Sequence, residues 1–206
     1  MTKVKICGLK ATQDIEFVNE LLPDFVGFVF VKSKRQIGFQ EAKCFKSFLD
    51  SSIQAVGVFV NAAIGDICAL EGIIDIVQLH GDEDEDYVQK LKANCKMPII
   101  KAFRVGESFQ MQNTSADFLL FDTASKDAYG GTGEVFDWNK INNLSNNLTQ
   151  RPVFLAGGIN AENVGRAIET VKPFCVDVSS SVETDGCKDF EKMKKLIDIV
   201  RGNTHE

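Results

Sequence analysis

The feature that most constrains the fold is a regular alternation of short apolar runs with segments of helical spacing along the chain. Eight runs have the length and composition of buried strands, and each ends in glycine or polar residues. The predicted strands cover residues 3–9, 25–31, 55–60, 74–79, 98–105, 117–122, 153–156 and 174–178. The run FVGFVFV at 25–31 is almost entirely apolar, which is typical of a strand buried on both faces of a parallel sheet.

A helix is predicted after every strand. The predicted helices cover residues 11–22, 39–49, 64–70, a segment opened by the acidic run 82–86, 107–112, 138–144, 161–171 and 190–200. Asn160 is the expected N-cap of the seventh helix. We interpret the acidic run as a first helical turn that opposes the helix dipole, rather than as a cation site.

Eight strands, each followed by a helix, in 206 residues predict an α/β fold, a single (β/α)8 TIM barrel with eight parallel strands. We expect one barrel domain over residues 1–206, because no linker composition interrupts the pattern. An open doubly wound sheet is the alternative. It would require a different signature at its switch point, and no GxGxxG motif follows the first strand.

Composition excludes several classes of protein. No apolar run approaches the roughly 18 residues of a membrane span, and the first residues lack a signal-peptide pattern, so we expect a cytoplasmic protein without a membrane partner. The six cysteines form no CxxC pair and there are only two histidines, which disfavours a zinc site or a disulfide framework. A net charge of −6 argues against a nucleic-acid partner, and an anionic ligand must therefore be held by local charges.

Polar residues gather where the predicted strands end, which is the active face of a barrel of this type. They are Cys7, Arg35, His80, Asp122, Gly157, Gly158 and the serines at 179–181. Each has a plainer interpretation: Cys7 as a small buried apolar residue, Asp122 as a turn cap, Arg35 as part of a solvated basic run and His80 as a turn residue. The glycines and serines are more specific, because barrels commonly hold a phosphate with the loops after strands seven and eight.

Eight motifs in register resemble the phosphoribosylanthranilate isomerase family of the tryptophan pathway. They are KICGL at 5–9, VGFVFVKSKR at 26–35, VGVFVN at 56–61, VQLHGDE at 77–83, LLFDT at 119–123, YGGTGEVFDW at 129–138, LAGGINAENV at 155–164 and VDVSSSVE at 176–183. One position departs from the resemblance, since the family usually has glycine where this chain has Ser181. If that glycine serves a positive φ or a close approach to phosphate, Ser181 strains the loop.

The resemblance implies a function and a set of site residues. The expected reaction is an Amadori rearrangement of N-(5-phosphoribosyl)anthranilate to 1-(2-carboxyphenylamino)-1-deoxyribulose 5-phosphate, without cofactor or metal, by a monomer or homodimer. By similarity, Cys7 is the general base, Asp122 the general acid and Arg35 the contact for the anthranilate carboxylate. The other residues expected to bind this small-molecule phosphosugar substrate are His80, Gly157, Gly158, Ser180 and Ser181.

The residue types suit this chemistry. Opening an aminated ribofuranose ring requires a proton on the ring oxygen, and forming the enolamine requires removal of a proton from C2. Asp122 can supply the first only when it is protonated, and Cys7 can accept the second only as a thiolate. Because strand alternation puts Lys5 on the same face as Cys7, we expect Lys5 to favour the thiolate.

Two other classes of function remain. The first class is another barrel enzyme that acts on a phosphosugar, such as the histidine-pathway isomerase, an epimerase or a lyase. Carboxylates at both catalytic positions would suit the histidine-pathway enzyme, and Cys7 speaks against it; a Schiff-base lyase would need its lysine. The second class is a non-catalytic barrel that acts as a phosphometabolite-binding or scaffold subunit.

Overall fold

The structure, a computed structural model, describes residues 1–107, 109–123, 137–142 and 151–202, with the backbone alone at residue 142. Eight parallel strands close into a barrel in chain order, and the eighth pairs with the first. The strands are β1 Lys3–Cys7, β2 Phe25–Val29, β3 Gln54–Phe59, β4 Ile76–Leu79, β5 Ile99–Val105, β6 Phe118–Thr123, β7 Val153–Leu155 and β8 Cys175–Val178. The predicted barrel is confirmed, and its closure rules out the open sheet.

Helices surround the barrel. They are α1 Thr12–Leu21, α2 Phe39–Phe48, α3 Ile64–Cys68, α4 Glu85–Asn94, α5 Asn139–Asn142, α6 Val164–Val171 and α7 Phe190–Arg201. Asp84 is the N-cap of α4, and its side chain accepts a hydrogen bond from the Tyr87 N–H at 2.9 Å. Part of the acidic run therefore begins a helix, as predicted. No helix in the described parts of the chain has the length and apolar character needed to cross a membrane.

The two faces of each strand pack into different layers. Val4 and Ile6 of β1 point outward into the larger apolar core that joins barrel and helices, whereas Lys5 lies on the inward face. A second apolar cluster fills the inside of the barrel; its members include Phe25, Val56, Ile76, Ile100, Leu120 and Phe154. Inward positions nearer the C-terminal strand ends become polar, so the packed interior forms the floor of a polar site.

The helix predicted at 107–112 is wrong for the residues described there, since 109–116 carry no helix. Phe109 packs edge-on against Phe121, with the ring centroids 6.0 Å apart. The Ser115 N–H donates to Glu85 at 2.8 Å and the Ala116 N–H to Thr114 Oγ1 at 3.2 Å. Side-chain hydrogen bonds of this kind compete with helical backbone bonds, and here they hold an irregular segment.

The seventh predicted helix begins later than expected. Its N-cap is Asn163, and α6 starts at Val164. Asn160 instead accepts hydrogen bonds from the Glu162 and Asn163 N–H groups at 2.8 and 3.1 Å, so it caps a turn that precedes the helix. Of the helix predicted at 138–144, the described part is α5, and the glycine-rich loop at 129–133 lies outside the described residues.

A short structure after β8 was not predicted. It consists of a 3-10 helix, Ser180–Val182, and a hairpin of β9 Glu183–Thr184 with β10 Cys187–Lys188. The two turn residues, Asp185 and Gly186, both have positive φ, at 51° and 77°. Asp-Gly is the dipeptide that favours such a two-residue turn, and the hairpin carries two charged side chains to the mouth of the barrel.

Candidate active site

The C-terminal ends of the strands open onto a cavity of about 580 Å³. Both residues predicted to be catalytic and all six predicted to bind substrate line it: Cys7, Asp122, Arg35, His80, Gly157, Gly158, Ser180 and Ser181. The strands bring these residues together from distant parts of the chain, because every parallel strand of a barrel ends at the same face.

Cys7 ends β1, and neighbouring residues leave room for its thiol. Gly27 of β2 is its register partner, and a Cβ built at Gly27 would lie 2.6 Å from the Cys7 sulfur. Ser179 Oγ donates a hydrogen bond of 3.0 Å to the Cys7 carbonyl, which ties the end of β1 to the residue after β8. The thiol therefore has a fixed place beside a glycine.

Opposing effects act on the protonation of Cys7. Burial raises the pKa of the Cys7 thiol, while the charges of Lys5 and Lys188 act to lower it. Lys5 is completely buried and its Nζ lies 2.7 Å from Asp177 Oδ2. Burial also works against the charge of Lys5, but the attraction and hydrogen bond of Asp177, together with the attraction of the nearby cysteines, outweigh it and raise the pKa of Lys5. Lys5 thus acts in the predicted direction, and burial is the larger effect on the thiol.

Asp122 makes two contacts through different oxygens. The Thr123 N–H donates to Oδ1 at 2.8 Å, and His80 Nε2 lies 3.3 Å from Oδ2. The other ring nitrogen, Nδ1 of His80, lies 2.9 Å from Gln78 Nε2. Gln78, His80 and Asp122 form a connected row along one wall, and the buried Oε1 of Gln78 finds no hydrogen-bond partner among the described residues.

Arg35 is held by an ion pair. Its Nε and Nη2 donate to the two carboxylate oxygens of Glu183 at 2.6 and 2.8 Å. This paired geometry gives the guanidinium one orientation. Gly8 has a φ of 84°, and a Cβ built on it would collide with the Arg35 stem, so the arginine lies directly over the backbone after Cys7.

The loops after β7 and β8 form the other end of the cavity. Gly157 and Gly158 have φ values of 79° and 68°, and a Cβ at Gly157 would collide with Thr123. Ser181 lies in the 3-10 helix and is absent from the residues with positive φ in the described ranges, so the expected strain at this position does not occur. Its buried Oγ has no hydrogen-bond partner within the described structure, and it lines the cavity.

Four residues that belong to this site were not predicted as part of it: Gln78, Asp177, Glu183 and Lys188. Gln78 and Asp177 each lie two positions before a strand-end residue, His80 or Ser179, so strand alternation alone would have found them. Glu183 and Lys188 flank the Asp-Gly turn, and that dipeptide was the signal for the hairpin.

Known proteins resemble this chain over nearly its whole length. Residues 4–199 match the family model described as N-(5'phosphoribosyl)anthranilate (PRA) isomerase. An N-(5'-phosphoribosyl)anthranilate isomerase from Endomicrobium trichonymphae is 48% identical over 203 residues, covering 98% of this chain and 99% of the relative.

Two solved structures are also similar. A phosphoribosyl anthranilate isomerase in complex with reduced 1-(o-carboxyphenylamino)-1-deoxyribulose 5-phosphate is 34% identical, with a TM-score of 0.80 and coverage of 98% of this chain and 100% of that chain. A structure of monomers generated from the dimeric enzyme of Thermotoga maritima has the same identity, 34%, the same TM-score, 0.80, and the same coverage of 98% and 100%. The chain belongs to the N-(5'-phosphoribosyl)anthranilate isomerase family, whose reaction is a step of tryptophan biosynthesis.

Proposed function

We propose that the chain isomerises N-(5-phosphoribosyl)anthranilate to 1-(2-carboxyphenylamino)-1-deoxyribulose 5-phosphate, with Cys7 as the general base and Asp122 as the general acid. The observation that carries the assignment is that the thiol at the end of β1 and the carboxyl at the end of β6 line one cavity. The two strands are not neighbours in the barrel, so a sugar between them can meet the acid and the base from different sides.

The reaction needs two proton transfers. Asp122 donates a proton to the ring oxygen, the bond from that oxygen to C1 breaks, and the nitrogen lone pair forms the C1=N bond of a Schiff base. Cys7 then removes the proton from C2, which gives the enolamine. When the enolamine tautomerises to the ketone, C1 gains a proton and the C2 hydroxyl loses one, so the whole rearrangement is balanced without any oxidant or reductant.

The row from Gln78 to Asp122 allows two arrangements of its hydrogen atoms. If the Gln78 amide donates to His80 Nδ1, His80 Nε2 carries the hydrogen and faces an ionised Asp122. If the Gln78 amide is rotated by 180°, its oxygen accepts a hydrogen bond from His80 Nδ1–H. His80 Nε2 then accepts a hydrogen bond from a protonated Asp122 Oδ2. The second arrangement is the one that general acid catalysis uses. His80 is then both a wall of the substrate site and a partner of the acid.

The two anionic ends of the substrate suit the two ends of the cavity. Arg35 offers a planar group of N–H donors to the anthranilate carboxylate. Gly157, Gly158, Ser180 and Ser181 offer backbone N–H groups and hydroxyls to the phosphate. The Ser181 hydroxyl has no hydrogen-bond partner among the described residues and supports this assignment, because a buried polar atom without a partner is costly until a ligand reaches it.

The experiment that tests the proposal follows the fluorescence of freshly generated phosphoribosylanthranilate with wild type, Cys7→Ala and Asp122→Asn. We expect a rapid loss of fluorescence with wild type, and rates near the spontaneous background with both variants. If Cys7→Ala still caused a rapid loss of fluorescence, Cys7 would not be the base, although the proposed reaction would stand. A folded wild type that does not exceed background would refute the activity and favour a binding barrel.

Several broader features are part of the proposal. We place the enzyme in the cytoplasm, because its phosphorylated substrate does not cross membranes and its six cysteines are free. We expect no nucleic-acid partner, since the net charge is −6. We expect residues 1–206 to unfold as one domain, and the assembly to be a monomer or homodimer; calorimetry and light scattering test these two points.

A further inference from the structure

Three charged side chains form a cluster at the rim of the cavity. Glu183 Oε1 accepts from Arg35 Nε at 2.6 Å and from Lys188 Nζ at 2.8 Å, and Glu183 Oε2 accepts from Arg35 Nη2 at 2.8 Å. The side chains of Glu183 and Lys188 are only 6% and 1% exposed, so this is a buried arrangement and not a surface ion pair. Two cations share one anion, and the cluster keeps one positive charge.

Within the described parts of the chain, the arrangement leaves some of the Arg35 donors available. A guanidinium has five N–H donors, of which Glu183 takes one on Nε and one on Nη2. Of the three others, one lies on the far side of Nη2 and two on Nη1; the Nη2 donor and the adjacent Nη1 donor form the end-on edge of the group. That edge can bind a second carboxylate through two parallel hydrogen bonds while Glu183 keeps the side edge occupied.

Lys188 holds the Glu183 side chain in place. Besides Glu183, its Nζ donates to the Ser179 carbonyl at 3.0 Å, and the Ser179 hydroxyl donates to the Cys7 carbonyl at 3.0 Å. The hairpin that carries Glu183 and Lys188 is therefore bonded to the end of β8 and, through it, to the end of β1. Glu183 is held at a fixed distance from the catalytic thiol rather than on a free loop.

We propose that Glu183 is the positioning residue of the anthranilate-carboxylate subsite, which holds Arg35 so that its end-on edge faces the cavity. Glu183 does not touch substrate. It acts through Arg35, and Gly8 supplies the space in which the arginine stem lies. The inference rests on the proposed function, because it assigns Arg35 to the carboxylate of that substrate.

Discrimination between two ligands tests this role. The ligands are reduced 1-(o-carboxyphenylamino)-1-deoxyribulose 5-phosphate and the same compound without its carboxyl group, and calorimetric titration gives the dissociation constant of each. We expect wild type to prefer the carboxylated ligand by about tenfold or more, as for a charge-assisted pair of hydrogen bonds. In Glu183→Gln that preference should fall to about threefold or less, while affinity for the ligand without the carboxyl group changes little.

Two further variants make the result specific. Glu183→Asp keeps the charge but is one methylene shorter, so it cannot reach both Arg35 nitrogens and should lose part of the preference. Glu191→Gln removes an exposed carboxylate from the first turn of α7 and should leave the preference unchanged. Circular dichroism and melting temperature establish that each variant is folded, and Glu183→Asp carries the test if Glu183→Gln does not fold.

The outcomes separate the two proposals. If the folded Glu183 variants kept the full preference for the carboxylated ligand, the positioning role of Glu183 would be overturned. The role of Arg35 in binding the carboxylate would remain intact. Equal weakening of both ligands would also overturn it, because it would mean a general loss of cavity structure. A wild type without preference would instead refute the carboxylate role of Arg35, and the positioning role with it.

Discussion

Lys5 and Cys7 occupy successive inward positions of β1, and the buried ammonium of Lys5 opposes the effect of burial on the pKa of the Cys7 thiol. The same ammonium lies 2.7 Å from Asp177 on the neighbouring strand β8. The buried ammonium of Lys5 therefore interacts with both Asp177 and Cys7. It compensates a carboxylate in the barrel floor and favours the thiolate that the reaction needs.

Lys5→Met is expected to raise the pKa of the Cys7 thiol further, because burial remains and the cation is gone. The rate at neutral pH should fall and recover partly at alkaline pH. The pH dependence of Cys7 alkylation measures the shift, with the same measurement on Cys7→Ala subtracting the reaction of the exposed Cys44 and Cys187. A titration curve equal to that of wild type would contradict the role of Lys5.

The same variant should be destabilised by about 3 to 5 kcal/mol, since it leaves the Asp177 carboxylate buried without its partner. The double variant Lys5→Met, Asp177→Asn removes the stranded charge and should recover much of that loss in urea unfolding. If the single and double variants were equally stable, the ion pair would not be the source of the effect.

Gly27→Ala is expected to reduce activity by displacing the Cys7 sulfur, which would lie 2.6 Å from the new Cβ. A cost of about 1 to 3 kcal/mol in stability should accompany it, as in other overpacked interiors. Gly65→Ala on α3 is the matched control, because a Cβ there meets no atom of the described residues within 4 Å. Wild-type kcat in Gly27→Ala, together with normal folding, would show that the thiol does not need this space.

Ser181→Ala is expected to have opposite effects on stability and on phosphate binding. Removing a buried hydroxyl that has no partner in the described ranges should stabilise the free protein by about 1 kcal/mol. Loss of a phosphate contact should raise the inhibition constant of inorganic phosphate and the KM of the substrate, with little change in kcat. Unchanged phosphate inhibition would exclude the hydroxyl as a phosphate donor.

Lys195→Met is expected to raise KM by about threefold, and more at low ionic strength, because this α7 lysine lines the cavity beside the loops assigned to phosphate. Lys194→Met removes the same charge from the next residue, whose Nζ pairs with Asp198 at 2.6 Å. The control should keep the wild-type KM. An equal rise in both variants would indicate a general effect of net charge instead of a contact in the cavity.

Glu183 should contribute to the acid sensitivity of the fold. Its contacts with Arg35 and Lys188 outweigh burial and lower its pKa from 4.5 to about 2. A lowered carboxyl pKa gives stability that is complete above pH 4.5 and is lost as pH falls toward 2. The difference in unfolding free energy between wild type and Glu183→Gln should shrink across that window, as acid-dependent urea titrations would measure. A difference constant with pH would contradict the assigned ionisation.

Local pattern predicted most of the fold because each barrel strand is a short apolar run whose ends are marked by glycine or polar residues. The irregular segment at 109–116 escaped prediction because its conformation depends on Phe121 and Glu85, which lie outside it. The start of α6 was misplaced for a related reason. Asn160 and Asn163 are both good caps, and the turn between them decides which one begins the helix.

The sequence by itself determined the barrel, because side-chain alternation and the strand-then-helix order are local properties that a closed parallel barrel converts directly into one face. The family and the eight expected site residues followed from the resemblance of its motifs. Only the tertiary structure decided the partners of those residues. Lys5 meets Asp177 across the seam where β1 and β8 close the barrel, and Arg35 meets Glu183 across the mouth of the cavity. Such pairs depend on three-dimensional distance and burial, which no local pattern in the chain encodes.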